Sequence, residues 1–197
     1  LIGCGNIGSI VANRALGLKM HVKVYDPFLT HEKAKEIGVE KIEIDELFKI
    51  SDFISLHVPL TNSTKEIINA KSITKMKRGV KIINCARGGL VNETDLVNAI
   101  NKGQVSGAAF DVFVEEPAHK NVLFGMPEIV ATPHLGASTS EAQENVAIQI
   151  AEQMSNYLIN GSVTNALNLP AVSSEDAPKL KPYMKLAEQI GRLAGQI

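Results

Sequence analysis

The 197-residue sequence contains no tryptophan, only two cysteines and no block of like charge. Cys4 and Cys85 cannot form the disulfide framework of a small secreted domain, so reduced thiols and a cytoplasmic location are expected. No apolar run approaches the roughly 18 residues of a membrane-spanning helix. Because 20 basic residues balance 21 acidic ones, the composition argues against binding to nucleic acid or to a membrane surface.

Short motifs of several enzyme classes are also missing. The sequence has no H-E-x-x-H and no paired C-x-x-C pattern, so no metal site is predicted. It has neither the G-x-x-x-x-G-K-[ST] loop that binds phosphates nor the G-x-S-x-G turn of many hydrolases. The 45% hydrophobic content is nevertheless typical of a globular protein with a full core.

A glycine-rich turn, G-x-G-x-x-G, lies within the first eight residues, LIGCGNIG. Gly3 would allow a sharp reversal after a strand, Gly5 the close approach of a pyrophosphate, and Gly8 the close packing of helix on strand. The helix that follows would offer its unpaired N–H groups to the phosphates. The turn therefore predicts a dinucleotide site, although glycine-rich turns also occur without a ligand.

Asp26 strengthens that prediction, because it ends the next apolar run, 20–25. Its separation from the glycine turn is close to the roughly 20 residues expected for the acid that binds an adenosine ribose. The same aspartate would also suit an ordinary turn before Pro27. The order of glycine turn, helix and acidic strand end favours cofactor binding.

Strands and helices alternate over about the first 130 residues, which predicts an α/β fold with a doubly wound, Rossmann-like parallel sheet. The expected strands after the first are 20–25, 39–42, 52–57, 80–86, 105–112 and 129–132. The expected helices are 7–17, 31–37, 45–49, a region between Thr64 and Gly79, 92–102, and a long helix that a capping box at Ser140 and Gln143 would begin and Gly161 would end.

The chain divides on this interpretation into three parts. An NAD-binding domain is expected over 1–138, with its first strand truncated, followed by a long helix over 139–161. Residues 162–197 would be a linker and the start of a further domain, with extended chain at 165–169, a linker at 170–182 and an amphipathic helix at 183–197. The sequence is thus expected to be a piece of a longer polypeptide.

Five chemically active side chains lie at or just past predicted strand ends, where parallel sheets bind ligands. They are Asp26, His57, Arg87, Asp111 and His134.

Arg87, His134 and a glutamate suit hydride transfer from a 2-hydroxy acid. Arg87 could bind a carboxylate through two parallel hydrogen bonds, and its neighbouring glycines would allow a ligand to approach, although a solvated turn arginine is the alternative. His134 could take the hydroxyl proton. A carboxylate that bonds to the imidazole would fix its tautomer and raise its pKa. Glu116 or Glu115 could supply that carboxylate, and spacing alone does not choose between them.

Six segments resemble, in order and spacing, the signatures of the D-isomer-specific 2-hydroxyacid dehydrogenases. They are GCGNIG, VYDP, LHVPLT, NCARGGLVNE, GAAFDVFVEEP and TPHLGAS. The segments HLGASTSEAQENVA and NALNLPAV resemble the long-form phosphoglycerate dehydrogenases of that family. The resemblance implies that the long helix over 139–161 crosses back toward a substrate domain.

The resemblance implies roles for individual residues. Arg87 would bind the substrate's carboxylate and 2-oxygen, His134 would be the acid/base, and Glu116, directly before Pro117, would be its partner. The NAD contacts would come from the glycine turn and from several strand ends: Gly3, Gly5, Asn6, Ile7, Gly8, Asp26, Val58, Pro59, Cys85, Ala86, Arg87, Asp111, His134, Leu135, Gly136 and Ala137.

The resemblance also implies a reaction: NAD-dependent oxidation of 3-phospho-D-glycerate to 3-phosphohydroxypyruvate, the entry step to serine. A glyoxylate or hydroxypyruvate reductase would share the same catalytic residues and is the first alternative. An NAD-sensing co-repressor built on this fold is an alternative of another class. The expected partners are a small-molecule substrate and further copies of the chain in a homo-oligomer.

Overall fold

The computed structural model describes residues 1–166 and 177–195. Contacts divide the chain into two units, Leu1–Gly136 and Ala137–Ile197. The first unit contains α1 (Asn6–Gly17), β1 (Lys23–Val24), α2 (His31–Ile37), β2 (Glu40–Lys41), α3 (Ile44–Ile50), β3 (Phe53–Leu56), α4 (Ala70–Ile73), β4 (Val80–Asn84), α5 (Glu93–Asn101), β5 (Val105–Phe110) and β6 (Ile129–Ala131). A short helix, α6 (Leu135–Ser138), spans the boundary, and α7 (Ser140–Asn160) and α8 (Ala177–Ala194) belong to the second unit.

Every strand pair in the first unit is parallel. The strands β3, β4, β5 and β6 are hydrogen-bonded in that order, and β1 pairs with β2. Ile2 joins the two groups, since it bridges both Tyr25 and Leu56. If the segment around Ile2 is counted as the first strand, the order 3-2-1-4-5-6-7 results, and it reverses direction at Ile2. This confirms the doubly wound Rossmann-like sheet and places its ligand-binding switch point beside the glycine turn.

The sheet is held by apolar side chains that helices cover. Ile54, Leu56 and Ile82 on the central strands are fully buried, and Leu96 of α5 packs into the same core. A smaller core around Val24 lies under α1 and α2. Each fully buried leucine or isoleucine contributes about 1.5–3 kcal/mol, so the central strands anchor the loops that follow them.

Capping residues explain where several helices begin and end. The Thr30 side chain accepts the Lys33 N–H, and Gly38 ends α2 with φ of 86°, as predicted. Asn92 likewise begins α5 by accepting the Asp95 N–H. The predicted cap of the long helix was one residue late, because Thr139 rather than Ser140 accepts the Ala142 N–H. Gly161 ends that helix with φ of 70°.

The helix predicted between Thr64 and Gly79 is largely wrong, since only Ala70–Ile73 is α-helical there. The Thr64 hydroxyl accepts the Thr61 N–H, and the Asn69 side chain accepts the Lys71 and Ser72 N–H groups. The Thr64 bond gives the backbone a local partner that competes with helix formation, whereas the Asn69 bonds cap α4 and fix its start at Ala70. The prediction did not allow for these side-chain bonds.

Two other boundaries also differ from the predictions. The strand expected from residue 20 begins at Lys23, because Lys19 has φ of 61° and the Met20 N–H still bonds to Ala15 of α1. The last helix begins at Ala177 rather than at residue 183, and Pro182 lies inside it. The segment 170–182 was expected to be a linker, yet its last residues, from Ala177 onward, are helical. The extended and linker segments expected at 167–176 lie outside the described residues.

The second unit is described by its two long helices. None of the residues of α7 is buried, and Met154, Tyr157 and Leu158 are each more than half exposed. Within 1–166 and 177–195, no helix is both long enough and apolar enough to cross a membrane. The same residues contain no cluster of side chains that could bind a metal ion.

Candidate active site

The glycine turn has the geometry of a phosphate-binding loop. A Cβ on Gly3, where φ is 93°, would lie 2.4 Å from the His57 carbonyl oxygen, and one on Gly8 would lie 2.4 Å from the Gly3 carbonyl oxygen. A Cβ on Gly5 would meet no atom within 4 Å. Gly5 also caps α1 without a side-chain acceptor for its first N–H groups. The turn is therefore closely packed on the protein side and open at Gly5, which fits a pyrophosphate on the helix N-terminus.

Asp26 lies directly beside this turn. One carboxylate oxygen accepts the Cys4 N–H at 2.7 Å and the other accepts the Phe28 N–H at 2.8 Å. The aspartate therefore braces both the glycine turn and its own turn. Each carboxylate oxygen has a second lone pair, so Asp26 could also accept a ribose hydroxyl. The two roles that the sequence suggested for Asp26, binding a ribose and stabilising a turn before Pro27, are therefore compatible.

Val58 and Pro59 follow β3 on the other side of the switch point. The Val58 side chain borders Gly3, where an added Cβ would lie 2.8 Å from Val58 Cγ1. His57 lies with them, but Ser55 Oγ is 2.9 Å from its Nε2, and burial lowers the pKa of this histidine. These contacts favour a structural role for His57.

Arg87 follows β4 on a turn that a buried side chain closes. Asn84, only 1% exposed, donates through Nδ2 to the Arg87 carbonyl at 2.9 Å and accepts the Ala86 N–H at 3.1 Å. The Arg87 guanidinium is exposed, and its Nη1 donates to the Ala86 carbonyl at 2.6 Å. A guanidinium has five N–H donors, so this bond leaves others for a carboxylate. Sequence reasoning missed Asn84, whose signal was a polar residue inside the apolar strand VKIIN.

His134 pairs with Glu116, which answers the choice that spacing had left open between Glu115 and Glu116. Its Nδ1 lies 2.6 Å from Glu116 Oε2, while Glu116 Oε1 accepts the Phe113 N–H at 2.9 Å. The bonds from Phe113 and from His134 hold the pKa of Glu116 below its ordinary value. A carboxylate that stays ionised at neutral pH therefore faces the imidazole.

Asp111 holds the loop that carries His134. Its carboxylate accepts the Thr132 hydroxyl at 2.6 Å, the Leu135 N–H at 2.7 Å and the Gly136 N–H at 3.1 Å. Burial alone would raise the pKa of Asp111, but these three hydrogen bonds together outweigh it and hold the pKa below its usual range. His134 itself has φ of 55°, a left-handed conformation that this bonding stabilises.

Arg87, Glu116 and His134 line one cleft of about 360 Å³ in the first unit. Its other walls are Leu60, Gly88, Val112, Phe113 and Val114. Cys85 and Ala86 lie on the Arg87 turn, and Leu135, Gly136 and Ala137 lie in α6. Asp26 and His57 are not among the residues that line this cleft. Of the five polar residues at strand ends, Arg87 and His134 line the cleft, while Asp111 supports the His134 loop from outside its lining. Asp26 and His57 lie beside the glycine turn.

Residues 1–136 match the family described as D-isomer specific 2-hydroxyacid dehydrogenase, NAD binding domain. The chain belongs to this family. All of the described cleft lies within the matched NAD-binding domain.

Curated relatives and solved structures agree with this assignment. The D-3-phosphoglycerate dehydrogenase of Bacillus subtilis (strain 168) is 47% identical over 196 residues, which are 100% of this chain and 37% of that protein. A glyoxylate reductase from Paecilomyes thermophila has a TM-score of 0.76 at 33% identity, with 85% of this chain and 51% of that chain covered. A D-lactate dehydrogenase from Aquifex aeolicus, complexed with NAD and lactic acid, has a TM-score of 0.70 at 34% identity, with 80% and 52% covered.

Proposed function

We propose that the full-length protein oxidises 3-phospho-D-glycerate to 3-phosphohydroxypyruvate with NAD. The observation that carries this proposal is the shared cleft of Arg87 with the Glu116–His134 pair, in a domain of the NAD-binding family. The choice of substrate is supported by the 47% identity to a D-3-phosphoglycerate dehydrogenase. The chain spans about 37% of that relative, so the activity belongs to the longer polypeptide.

The proposed roles begin with the cofactor. NAD, when bound, would accept the hydride from the substrate's C2. The N–H groups around Asn6 and Ile7 would bind its pyrophosphate, and Asp26 its ribose. Asp26 would disfavour NADP, because a 2′-phosphate would face a carboxylate. Val58, Pro59 and the segments that follow β4, β5 and β6 would border the rest of the molecule.

Arg87 and His134 would act on the substrate. The guanidinium would bind the substrate carboxylate in a planar, two-bond geometry that lysine cannot reproduce. Because Nδ1 of His134 bonds to Glu116, the proton of the 2-hydroxyl would pass to Nε2. Glu116 would then stabilise the imidazolium that forms, since its depressed pKa keeps it ionised.

We propose the same domain division as the sequence analysis, with 1–138 binding NAD, 139–161 leading to a substrate domain and 162–197 beginning a further domain. Other parts of the polypeptide would supply the second wall of the cleft and the contacts to the substrate phosphate. A homo-oligomer in the cytoplasm is the expected form of the enzyme.

The test is a substrate panel on the full-length protein. The assay would compare 3-phosphoglycerate with glycerate and lactate, and NAD with NADP, by the rate of NADH or NADPH formation. We expect the highest kcat/KM for 3-phosphoglycerate with NAD. Preference for lactate or glycerate would contradict the substrate, and preference for NADP would contradict the role of Asp26.

A second candidate is a reductase of glyoxylate or hydroxypyruvate, which the structural similarity to a glyoxylate reductase favours. It would use the same three residues in the reverse direction. Reduction of glyoxylate by NADH with a higher kcat/KM than reduction of 3-phosphohydroxypyruvate would support this candidate over the first.

A further inference from the structure

Gly88, which lines the cleft, leaves no room for a side chain beside the backbone of Phe113 and Val114. A Cβ added there would lie 2.0 Å from the Phe113 carbonyl oxygen, 2.2 Å from its carbonyl carbon and 2.6 Å from the Val114 nitrogen. The contacted atoms are all backbone, so no rotation of a side chain could relieve the clash. The sequence analysis attributed the glycines beside Arg87 to the approach of a ligand, but at Gly88 the close neighbour is the chain itself.

The backbone on each side of this contact is held in place by the surrounding structure. Phe113 is 6% exposed, and its ring packs edge-on against Phe124 at 5.2 Å between centroids. On the other side, Leu90 is fully buried two residues after Gly88, and its carbonyl accepts the Ile68 N–H. The contact therefore joins two anchored segments at a fixed separation.

The Arg87–Gly88 turn and the Phe113–Val114 segment both line the cleft. Gly88 directly follows Arg87, and the Phe113 N–H donates to Glu116, which bonds to His134. A continuous series of contacts thus runs from the Arg87 turn through Gly88, Phe113 and Glu116 to the imidazole. Asn84 holds the Arg87 turn, where this series begins, since its buried side chain bonds to the Arg87 carbonyl and the Ala86 N–H.

We propose that Gly88 and Asn84 are positioning residues that set the distance between the Arg87 guanidinium and the Glu116–His134 pair. The proposal rests on the proposed function insofar as it concerns catalysis. Gly88 sets the distance by allowing backbone to contact backbone, and Asn84 sets the orientation of the turn. Neither side chain needs to touch the substrate.

The principal test is Gly88→Ala in the full-length protein. To reach an ordinary contact of 3.4 Å, the Arg87 turn and the Phe113–Val114 segment would have to separate by about 1.4 Å. A misplacement of about 1 Å can cost roughly 100-fold in rate. We therefore expect kcat/KM for the hydroxy acid to fall by about 100-fold while the Kd for NADH changes less than threefold.

The matched control is Gly17→Ala, because Gly17 ends α1 and a Cβ there meets no atom within 4 Å. This variant should keep both constants. Equal losses of NADH affinity and kcat/KM in Gly88→Ala would indicate a general loss of structure and overturn the proposal. If the wild type is active and Gly88→Ala keeps the same kcat/KM, the proposal is also overturned.

A crystal structure of Gly88→Ala separates this proposal from the proposed function. A displacement of the Arg87 turn of about 1 Å relative to His134 is expected whatever the substrate is, and an undisplaced turn would overturn the proposal even if the substrate panel finds no activity.

If Gly88→Ala does not fold, Asn84→Ser serves instead. Serine keeps an acceptor for the Ala86 N–H but cannot reach the Arg87 carbonyl, so about a tenfold loss of kcat/KM at constant NADH affinity is expected, and no loss would contradict the role.

Discussion

The glycine turn (residues 3–8 with Asp26) and the His134 cluster (Arg87, Glu116 and His134) both follow parallel strands, but they are built differently. Apart from Asp26, the glycine turn is made of backbone atoms from one short stretch. Gly3 and Gly8 pack on atoms of the protein, while Gly5 stays open. The His134 cluster is made of side chains from three separate loops, held by further side chains and backbone contacts. The first is therefore sensitive mainly to an added atom, whereas the second is sensitive both to a changed functional group and to an added atom in the backbone contact that supports it.

The largest expected effect tests the His134 cluster by itself. Replacing His134 with glutamine removes the proposed general base while it leaves the glycine turn untouched. General bases contribute about 100- to 10,000-fold, so kcat should fall by about 1,000-fold while the Kd for NADH stays within a few-fold. Stopped-flow or steady-state kinetics with NADH fluorescence would measure both constants.

The control is His119→Gln, which changes an exposed histidine three residues from Glu116. It should leave kcat within twofold. A loss of less than tenfold in His134→Gln would contradict the proposed role, and the two regions would then not divide the work between cofactor and substrate.

How well each region could be predicted from sequence follows from the same difference. The glycine turn depends on residues within one stretch and on Asp26, so spacing alone predicted a closely packed turn with Asp26 beside it. The α/β alternation likewise predicted the sheet, and local caps such as Thr30 and Gly38 predicted helix ends. The helix predicted from Thr64 to Gly79 was largely wrong, because the Thr64 hydroxyl bonds to nearby backbone and the Asn69 cap starts the helix only at Ala70.

The His134 cluster could be predicted only in part. Strand ends indicated that Arg87 and His134 would lie at one edge, but the pairing of the imidazole with Glu116 depends on a turn in which Glu116 also binds the Phe113 N–H. The supporting residues were missed for two different reasons. The role of Gly88 appears only once β4 and β5 are paired, because the pairing brings the distant Phe113–Val114 backbone against it. The Asn84 side chain bonds to the neighbouring Ala86 and Arg87, and it was missed because the strand around it is nearly continuous in apolar residues.

The second prediction sharpens the difference within the glycine turn. Gly3→Ala places a Cβ 2.4 Å from a backbone oxygen at a φ of 93°, so the free energy of unfolding should fall by about 2–4 kcal/mol. Gly5→Ala meets no protein atom, but alanine is a poorer N-cap than glycine, so stability should fall by only about 0.5–1 kcal/mol. NADH affinity should nevertheless fall about tenfold in Gly5→Ala, because the added methyl group would occupy the space proposed for the pyrophosphate.

Urea unfolding and NADH titration of the two variants would measure these effects. If Gly5→Ala keeps full NADH affinity, the open side of the turn is not where the phosphates bind. If Gly3→Ala is as stable as the wild type, the close packing of the turn on His57 does not contribute as the geometry requires.

The smallest expected effect concerns Asp111, which supports the His134 loop through three accepted hydrogen bonds. Its pKa in the folded protein is below the ordinary value, so the carboxylate stabilises the fold at pH values above that ordinary value, about 3.8. This contribution is lost as the pH falls through the lowered pKa. Asp111→Asn should therefore lower the free energy of unfolding by about 1–2 kcal/mol at pH 7, and the difference from wild type should shrink below about pH 4.

Asp52→Asn is the matched control, because Asp52 is an exposed partner of Lys77 and such pairs contribute about 0–1 kcal/mol. A difference that stays constant from pH 7 to pH 3 would show that Asp111 acts through shape rather than charge, and the His134 loop would then depend on packing as the glycine turn does.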